Sequence, residues 1–288
     1  MESPAPGDPK RRFTDRVENY VKYRPDYPKA VLGFLDAAAG LTPRSIIADI
    51  GSGTGISSNL FLENGNTVYG VEPNAAMRAA AEQRFAGVPS FRSIDGSAEA
   101  TTLPAASVDL VVAGQAFHWF NPPNARAEFA RILRPGGHVA LLWNTRKLAG
   151  SPFLEAYESL LLEFGTDYHR VRHEQVDGPA LQAFYGPAGY RAAAFPNAQS
   201  LDHAGLLGRL LSSSYAPAPG HPRHAAMLEA VDRLFARFNH AGRVEIAYET
   251  EVYVGPVPLK PEDELASPRI LPARTTQESG DSQARPPA

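Results

Sequence analysis

No cysteine occurs anywhere in the 288 residues, and that absence removes disulfide scaffolds, thiolate zinc sites and cysteine nucleophiles together. It fits a reducing compartment, and a cytoplasmic protein is the expectation. Long apolar runs are missing too: none approaches the roughly 18 residues that a membrane helix needs. The opening Met1-Glu2-Ser3-Pro4-Ala5-Pro6 carries charge and proline where a signal peptide carries an apolar core. Positive charge is not in excess. With 28 basic and 31 acidic residues the net charge is −3, so no overall basic field favours nucleic acid or an anionic membrane. No internal repeat is evident. What the chain has is apolar content, 43% of residues, enough at this length to bury a substantial core.

One stretch organises the rest. Asp49-Ile50-Gly51-Ser52-Gly53-Thr54-Gly55 follows the apolar run 45–48 and precedes a helical pattern over 56–64. Strand, glycine turn, helix is the arrangement that brings backbone close to a nucleotide-like ligand, and glycine is needed because a Cβ would hold that ligand away. From there strands are expected at 45–49, 67–71, 90–94, 108–113 and 137–143. Helices are expected at 56–64, 74–85 and 122–133. This alternation predicts an α/β fold, a doubly wound and mostly parallel sheet with helices on both faces. Such sheets bind ligands beyond the carboxyl ends of their strands, where the strand order reverses.

Four strand ends carry candidate groups. The first delivers Asp49 and the glycines. The second delivers Glu72, about twenty residues on, where an acidic side chain accepts from ribose hydroxyls. Pro73-Asn74 then opens a helix with Met77 on its first turn, a thioether suited either to an adenine face or to the core. The third end carries Asp95-Gly96-Ser97-Ala98-Glu99, which suits an adenine edge or an ordinary turn. The fourth carries Gln115, Phe117, His118 and Trp119. The glycine spacing is G-x-G-x-G. A dinucleotide site wants a third glycine at the position of Ile56, so a nicotinamide-dependent oxidoreductase is the weaker alternative.

Upstream, Tyr20, Tyr23 and Arg24 lie in an aromatic segment broken by Pro25 and Pro28. Two readings stand: packing against the core, or a lid over the glycine turn facing a ligand.

Asp49 to Gly55, Val71-Glu72-Pro73-Asn74, Gly96-Ser97-Ala98-Glu99 and Leu133-Arg134-Pro135-Gly136-Gly137 together resemble class I S-adenosylmethionine-dependent methyltransferases. They are most similar to the type 11 group that includes trans-aconitate methyltransferase-like proteins. Gln115-Ala116-Phe117-His118-Trp119-Phe120, Trp143-Asn144-Thr145-Arg146 and the Tyr-x-x-x-Arg-Pro-x-Tyr-Pro of 20–28 are similar to a subset of that group. The resemblance is dense over 12–147. It implies a Rossmann-like fold ending in an antiparallel strand, and S-adenosyl-L-methionine as cofactor. It also implies methyl transfer to a small-molecule acceptor by in-line displacement. Asp49, Gly51, Ser52, Gly53 and Gly55 would hold the methionine part. Glu72 and Pro73 would lie by the ribose, and Met77, Ser97 and Ala98 by the adenine. Many relatives have aspartate at the position of Ser97, which puts that one contact in doubt. Gln115 would sit beside the sulfonium, with Tyr20 and Arg24 at the cofactor and Tyr23, Phe117 and Trp119 towards the substrate. His118 is the candidate base or a pocket-wall residue. A non-catalytic cofactor-binding protein of the same fold is the second alternative.

Asn121-Pro122-Pro123-Asn124 is similar to a signature of enzymes that methylate amino groups in DNA, but a helix start explains it better: Asn121 as N-cap, Pro122 at the first helical position. His169 and His173 lack the context of a metal site, and none is expected. The second half suggests helices at 153–164, 201–215 and 224–238 and strands at 191–196 and 243–254. The expected organisation is a disordered leader at 1–10, a single domain at 11–258 and a disordered tail at 260–288. Within the domain a lid at 11–40 precedes the cofactor core at 45–147, substrate-side insertions at 150–240 and a final strand at 243–254. Partner expectations are a small-molecule substrate, with neither nucleic acid nor membrane.

Overall fold

The computed structural model describes residues 17–168 and 178–257. The leader, the tail, His169, His173 and most of the loop expected at 171–178 lie outside these residues. In chain order the elements are α1 (Val17–Tyr23), α2 (Ala30–Ala39), β1 (Ile46–Ile50), α3 (Ile56–Glu63), β2 (Thr67–Val71), α4 (Ala75–Arg84), β3 (Phe91–Ile94) and β4 (Val108–Gly114). Then follow a 3-10 turn (Phe117–Trp119), α5 (Pro122–Ile132), β5 (Leu133–Arg146), α6 (Pro152–Phe164), α7 (Gly178–Tyr185), β6 (Arg191–Leu201), α8 (His203–Leu211), α9 (His224–Phe238) and β7 (Val244–Pro256).

The strands form one seven-stranded sheet in the order β3-β2-β1-β4-β5-β7-β6. β1 to β5 run parallel, and β7 lies antiparallel between β5 and β6. The order reverses between β1 and β4, which makes that crevice the place where a ligand is expected. Strands buried on both faces explain the continuous apolar runs. Ala48, Ile50, Val111, Ala113, Leu141 and Trp143 pack with Phe129 of α5 and Phe184 of α7 on one face. Ile47, Val112, Ala140 and Leu142 pack with Leu35 of α2 and Phe61 of α3 on the other. A third cluster joins α6, α8 and α9 to the first half of β7 through Tyr157, Leu206, Val231 and Tyr248.

Caps set the helix starts. Asn74 Oδ1 accepts from the amides of Ala76 and Met77 at 3.0 and 3.2 Å. Asn121 Oδ1 accepts from Asn124 N at 3.3 Å with Pro122 at the first helical position, so the Asn-Pro-Pro tetrad is a helix start. Several boundaries differ from the sequence reading, among them the end of α8, at Leu211 rather than 215. β5 begins at Leu133 rather than 137, because residues 134–137 bulge out between the pairs Val108–Leu133 and Leu110–His138. β6 continues past Pro196 to Leu201, since at the outer edge of the sheet a missing N–H costs no ladder bond. α7 spans Gly178–Tyr185, where the sequence suggests the end of a loop and then a stretch over 181–190 interrupted by glycine and proline. Because β6 completes the sheet and α7 enters its core, the span 150–240 is not only a set of insertions.

The amino-terminal segment is fastened through Asn144, near the end of β5. Asn144 is 9% exposed. Its Oδ1 accepts from Thr250 Oγ1 at 2.5 Å and Asn197 Nδ2 at 3.1 Å, and its Nδ2 donates to Asp26 O at 3.2 Å. Asn197 Nδ2 also reaches Asp26 O, at 2.7 Å. One amide therefore joins β5, β6, β7 and the segment before α2. Asn144→Ala leaves several buried polar groups unpaired and is expected to cost about 2–3 kcal/mol. Urea unfolding measures this, and a loss below about 0.5 kcal/mol would show that Asn144 does not carry the junction.

Candidate active site at the strand-order reversal

β1 ends in Asp49 and Ile50, and the chain then turns through three glycines with φ of 66° at Gly51, 55° at Gly53 and 82° at Gly55. L side chains avoid this region, so the turn depends on glycine. A Cβ on Gly51 would lie 2.7 Å from Ala116, and one on Gly55 would overlap the Phe85 ring. A Cβ on Gly53 would meet nothing within 4 Å. Gly51 and Gly55 are thus required by the protein's own packing, whereas Gly53 borders open space.

Two carboxylates flank the turn. Asp49 is fully buried, and its Oδ2 accepts from the hydroxyls of Ser57 and Ser58 on α3 at 2.7 and 2.6 Å. Its Oδ1 has no partner among the described residues. Burial raises the Asp49 pKa to about 6, against the pull of the two serine hydroxyls. Glu72, just past β2, is half-buried and turned towards the glycines: Oε2 accepts from Gly53 N at 3.0 Å and Oε1 from Asn74 N at 2.8 Å. Burial raises its pKa as well, and the charge of Asp49 adds to the rise. Arg78 braces this corner, donating to Glu72 O at 2.7 Å and to Asp95 Oδ2 at 2.9 Å. Sequence reasoning missed Arg78. Its only signal was a lone basic residue on the first turn after Asn74.

Gln115 follows β4 with φ of 56°, a conformation that costs a non-glycine residue about 1–2 kcal/mol. Two bonds hold it there: its amide donates to Leu142 O at 2.9 Å and its Nε2 to Asn144 O at 3.0 Å. Strain of this kind gathers at functional sites. Gly114 is the last residue of β4 because a Cβ there would stand 2.7 Å from the Tyr27 hydroxyl. The segment before α2 is therefore seated over the end of β4.

The remaining expected site residues divide. Ser52 is buried and donates its amide to Val71 O at 3.2 Å. Pro73 is half-buried beside Glu72, and Met77 is buried on α4. Ser97 pairs with Ala100 across a tight turn, and Ala98 is buried in the core. Phe117 is 3% exposed and packs edge-on against Phe184 and Trp143, so its ring belongs to the core. His118 is exposed, 4.7 Å from the half-buried Trp119 ring. Tyr23 packs onto Gly208 of α8, and Arg24 Nη2 donates to Ser212 O at 2.9 Å. These two side chains fasten α8 to the amino-terminal segment. The Tyr20 side chain lies outside the described residues. A cavity of about 190 Å³ lined by Ser45, Asp109, Arg134 and Gly137 sits at the amino ends of the strands, away from this edge. Arg134 is paired with Asp109 there at 3.0 Å.

A cationic, ribose-bearing ligand suits this donor set. The edge offers an unpartnered buried carboxylate oxygen, a second carboxylate with free lone pairs, and open space above Gly53.

Residues 48–141 match the methyltransferase-domain family. An uncharacterized methyltransferase of Mycobacterium tuberculosis is 37% identical over 134 residues, which are 46% of this chain and 52% of that one. The chain thus matches about half the length of this relative. An uncharacterized methyltransferase-like protein of Schizosaccharomyces pombe is 26% identical over 249 residues, 84% of this chain and 94% of that one. Among solved structures, a candidate type II methyltransferase from Anaeromyxobacter dehalogenans aligns with TM-score 0.63 over 82% of this chain and 99% of its own. At 22% identity that likeness concerns the fold alone. Residues 48–141 thus carry the methyltransferase-domain match, on a fold shared with that solved methyltransferase.

Proposed function

We propose that the protein transfers the methyl group of S-adenosylmethionine to a small-molecule acceptor, in the cytoplasmic setting that the cysteine-free composition suits. The observation that carries this reading is the acidic character of the glycine-turn edge. Asp49 and Glu72 sit side by side, and the Gly53 amide is donated to Glu72. In a dinucleotide site that amide would face a pyrophosphate. A ligand with an ammonium and a sulfonium relieves the crowding of two carboxylates, whereas a pyrophosphate adds to it.

Bound at this edge, S-adenosylmethionine supplies a methyl group already activated on sulfur. The protein's task is alignment and exclusion of water, effects worth on the order of 7–11 kcal/mol in favourable cases. Glu72 would hold the ribose and Asp49 the ammonium. Gln115, fixed by Leu142 and Asn144, would form the wall on the acceptor side. His118, exposed on the 3-10 turn after β4, would take a proton from an acceptor that must lose one.

Calorimetric titration with S-adenosylhomocysteine, beside a parallel titration with NAD, tests the reading. Binding of the first and not the second is expected, and failure of wild type to bind S-adenosylhomocysteine would sink it. Glu72→Ala is expected to weaken that affinity at least about tenfold, about 1.4 kcal/mol, before it affects folding. An unchanged affinity would remove the ribose role.

Asp49 makes a pH prediction. Its folded pKa, about 6, exceeds the ordinary 3.8, so the folded protein keeps a proton between these values that the unfolded chain has lost. This group therefore destabilises the free protein as pH rises from about 4 to about 6, by roughly 3 kcal/mol in all. A bound ammonium favours the ionised form, so affinity for S-adenosylhomocysteine is expected to rise between pH 5 and 7. Asp49→Asn should make that rise shallower, leaving only the contribution of Glu72. A profile with the same slope in wild type and variant would show that Asp49 does not face the ammonium.

A further inference from the structure

Beyond Asn144 the same sheet edge carries a second polar cluster, of opposite sign. Arg146, the last residue of β5, stands opposite Tyr248 of β7 in the ladder. Its Nη2 reaches Glu158 on α6 and donates to Tyr168 Oη at 2.7 Å, and its guanidinium lies 5.2 Å from the Tyr157 ring centre. Arg146 therefore has a counter-charge. Arg209 of α8 does not. It is 7% exposed, and its partners are neutral: Nε donates to Tyr248 Oη at 3.1 Å and Nη1 to Ser213 Oγ at 3.0 Å. No carboxylate among the described residues meets it. Taking a guanidinium out of water without a counter-ion costs several kcal/mol, so a cation left in this state needs a reason.

The groups around it supply one. Tyr157, 1% exposed, and Tyr215, half-buried, make no hydrogen bond through their hydroxyls among the described residues. Tyr157 and Tyr248 pack in one apolar cluster with Tyr215 against it, and Arg209 donates to Tyr248 Oη, so the three rings line the corner that holds Arg209. Burial also pushes the Tyr157 hydroxyl well above the usual range, so it remains a donor at every physiological pH. Two phenolic donors unused among the described residues, one buried and one half-buried, thus share a corner with a guanidinium that meets no carboxylate there. The acceptor it lacks is an anion. Asn144, two residues before Arg146 and so about 7 Å along the strand, fixes Gln115. The corner consequently adjoins the acceptor side of the cofactor edge.

We propose that Arg209, Tyr157 and Tyr215 form a subsite for an anionic group, a carboxylate or a phosphate, of the methyl acceptor. The assignment to an acceptor rests on the methyltransferase reading, while the anion site itself stands on the charge and the unused donors. Guanidinium and phenol donors match the lone pairs of a carboxylate or phosphate, and a bound anion would offset the desolvation of Arg209.

The test uses the full chain, melted with and without saturating S-adenosylhomocysteine, against increasing glutarate, inorganic phosphate and the neutral glutaramide. One or both anions should raise the melting temperature in a concentration-dependent way, and glutaramide should not. Whichever anion acts identifies carboxylate or phosphate. Tyr157→Phe removes a hydroxyl that nothing among the described residues uses, so it should melt like wild type while its apparent anion affinity drops severalfold. Arg209→Met should lose the anion response at least tenfold, keep S-adenosylhomocysteine binding, and without anion melt no lower than wild type. A merely structural arginine predicts the reverse, a lower melting point. Absence of any anion response in wild type, or an undiminished response in Tyr157→Phe, overturns the subsite. Loss of S-adenosylhomocysteine binding by wild type with the anion response intact overturns the methyltransferase reading and leaves the subsite standing.

Discussion

A carboxylate buried at the end of the first strand is the constraint on which this molecule is built. Asp49 cannot reach water, and its ionised form is tolerable only because Ser57 and Ser58 donate to one of its oxygens. Those serines lie on the first turn of α3, so α3 must start where it does. The chain between must then turn within six residues, which forces Gly51, Gly53 and Gly55 into positive φ. Gly53 in turn donates its amide to Glu72, which binds the end of β2 to the same corner. The satisfied oxygen of Asp49 organises the fold, and on the proposed reading the other, unpartnered among the described residues, would face the ammonium of the methyl donor. Structure and function would then draw on two atoms of one side chain.

A second constraint governs the end of β4. Gln115 is held in a strained backbone conformation by Leu142 and Asn144, and Asn144 in turn fastens the segment before α2 through Asp26. The amino-terminal segment therefore reaches the site through main-chain carbonyls and Tyr27. Tyr23 and Arg24 are used on α8. An aromatic, arginine-bearing sequence near a ligand edge invites the idea of ligand contact. Here Tyr23 and Arg24 make a helix-to-helix fastening, and that fastening sets the depth at which α8 presents Arg209 to β7.

What the sequence made legible follows from the range of the interactions involved. The parallel strands, the glycine turn and the caps at Asn74 and Asn121 are set within a few residues by apolar runs, φ preferences and local hydrogen bonds, and they appear where periodicity places them. Pro196 misled because its effect depends on whether β6 is an edge strand, which only the sheet order decides. Phe117 misled for a related reason. Its partners Phe184 and Trp143 lie 67 and 26 residues along the chain, so nothing local marks the ring as core rather than wall. Asn144, Arg146 and Arg209 were illegible as a system for the same cause, since their partners come from β6, β7, α6 and α8.

Charge offers the last step of synthesis. A chain with net charge −3 shows no field of either sign, yet its site edge is polarised along the carboxyl ends of the strands. Asp49, with one carboxylate oxygen unpartnered among the described residues, and Glu72 stand at β1 and β2, and Arg209, which meets no carboxylate among them, stands by β7. Asp49 and Arg209 are buried, so solvent screening around them is weak. A cationic methyl donor at one end and an anionic acceptor at the other would each neutralise the charge nearest to it. They would also attract each other across Gln115. Neither end is optimised for the stability of the empty protein, because each leaves a buried charge uncompensated. That sacrifice is intelligible if the folded chain is completed electrostatically by its two ligands rather than by its own side chains.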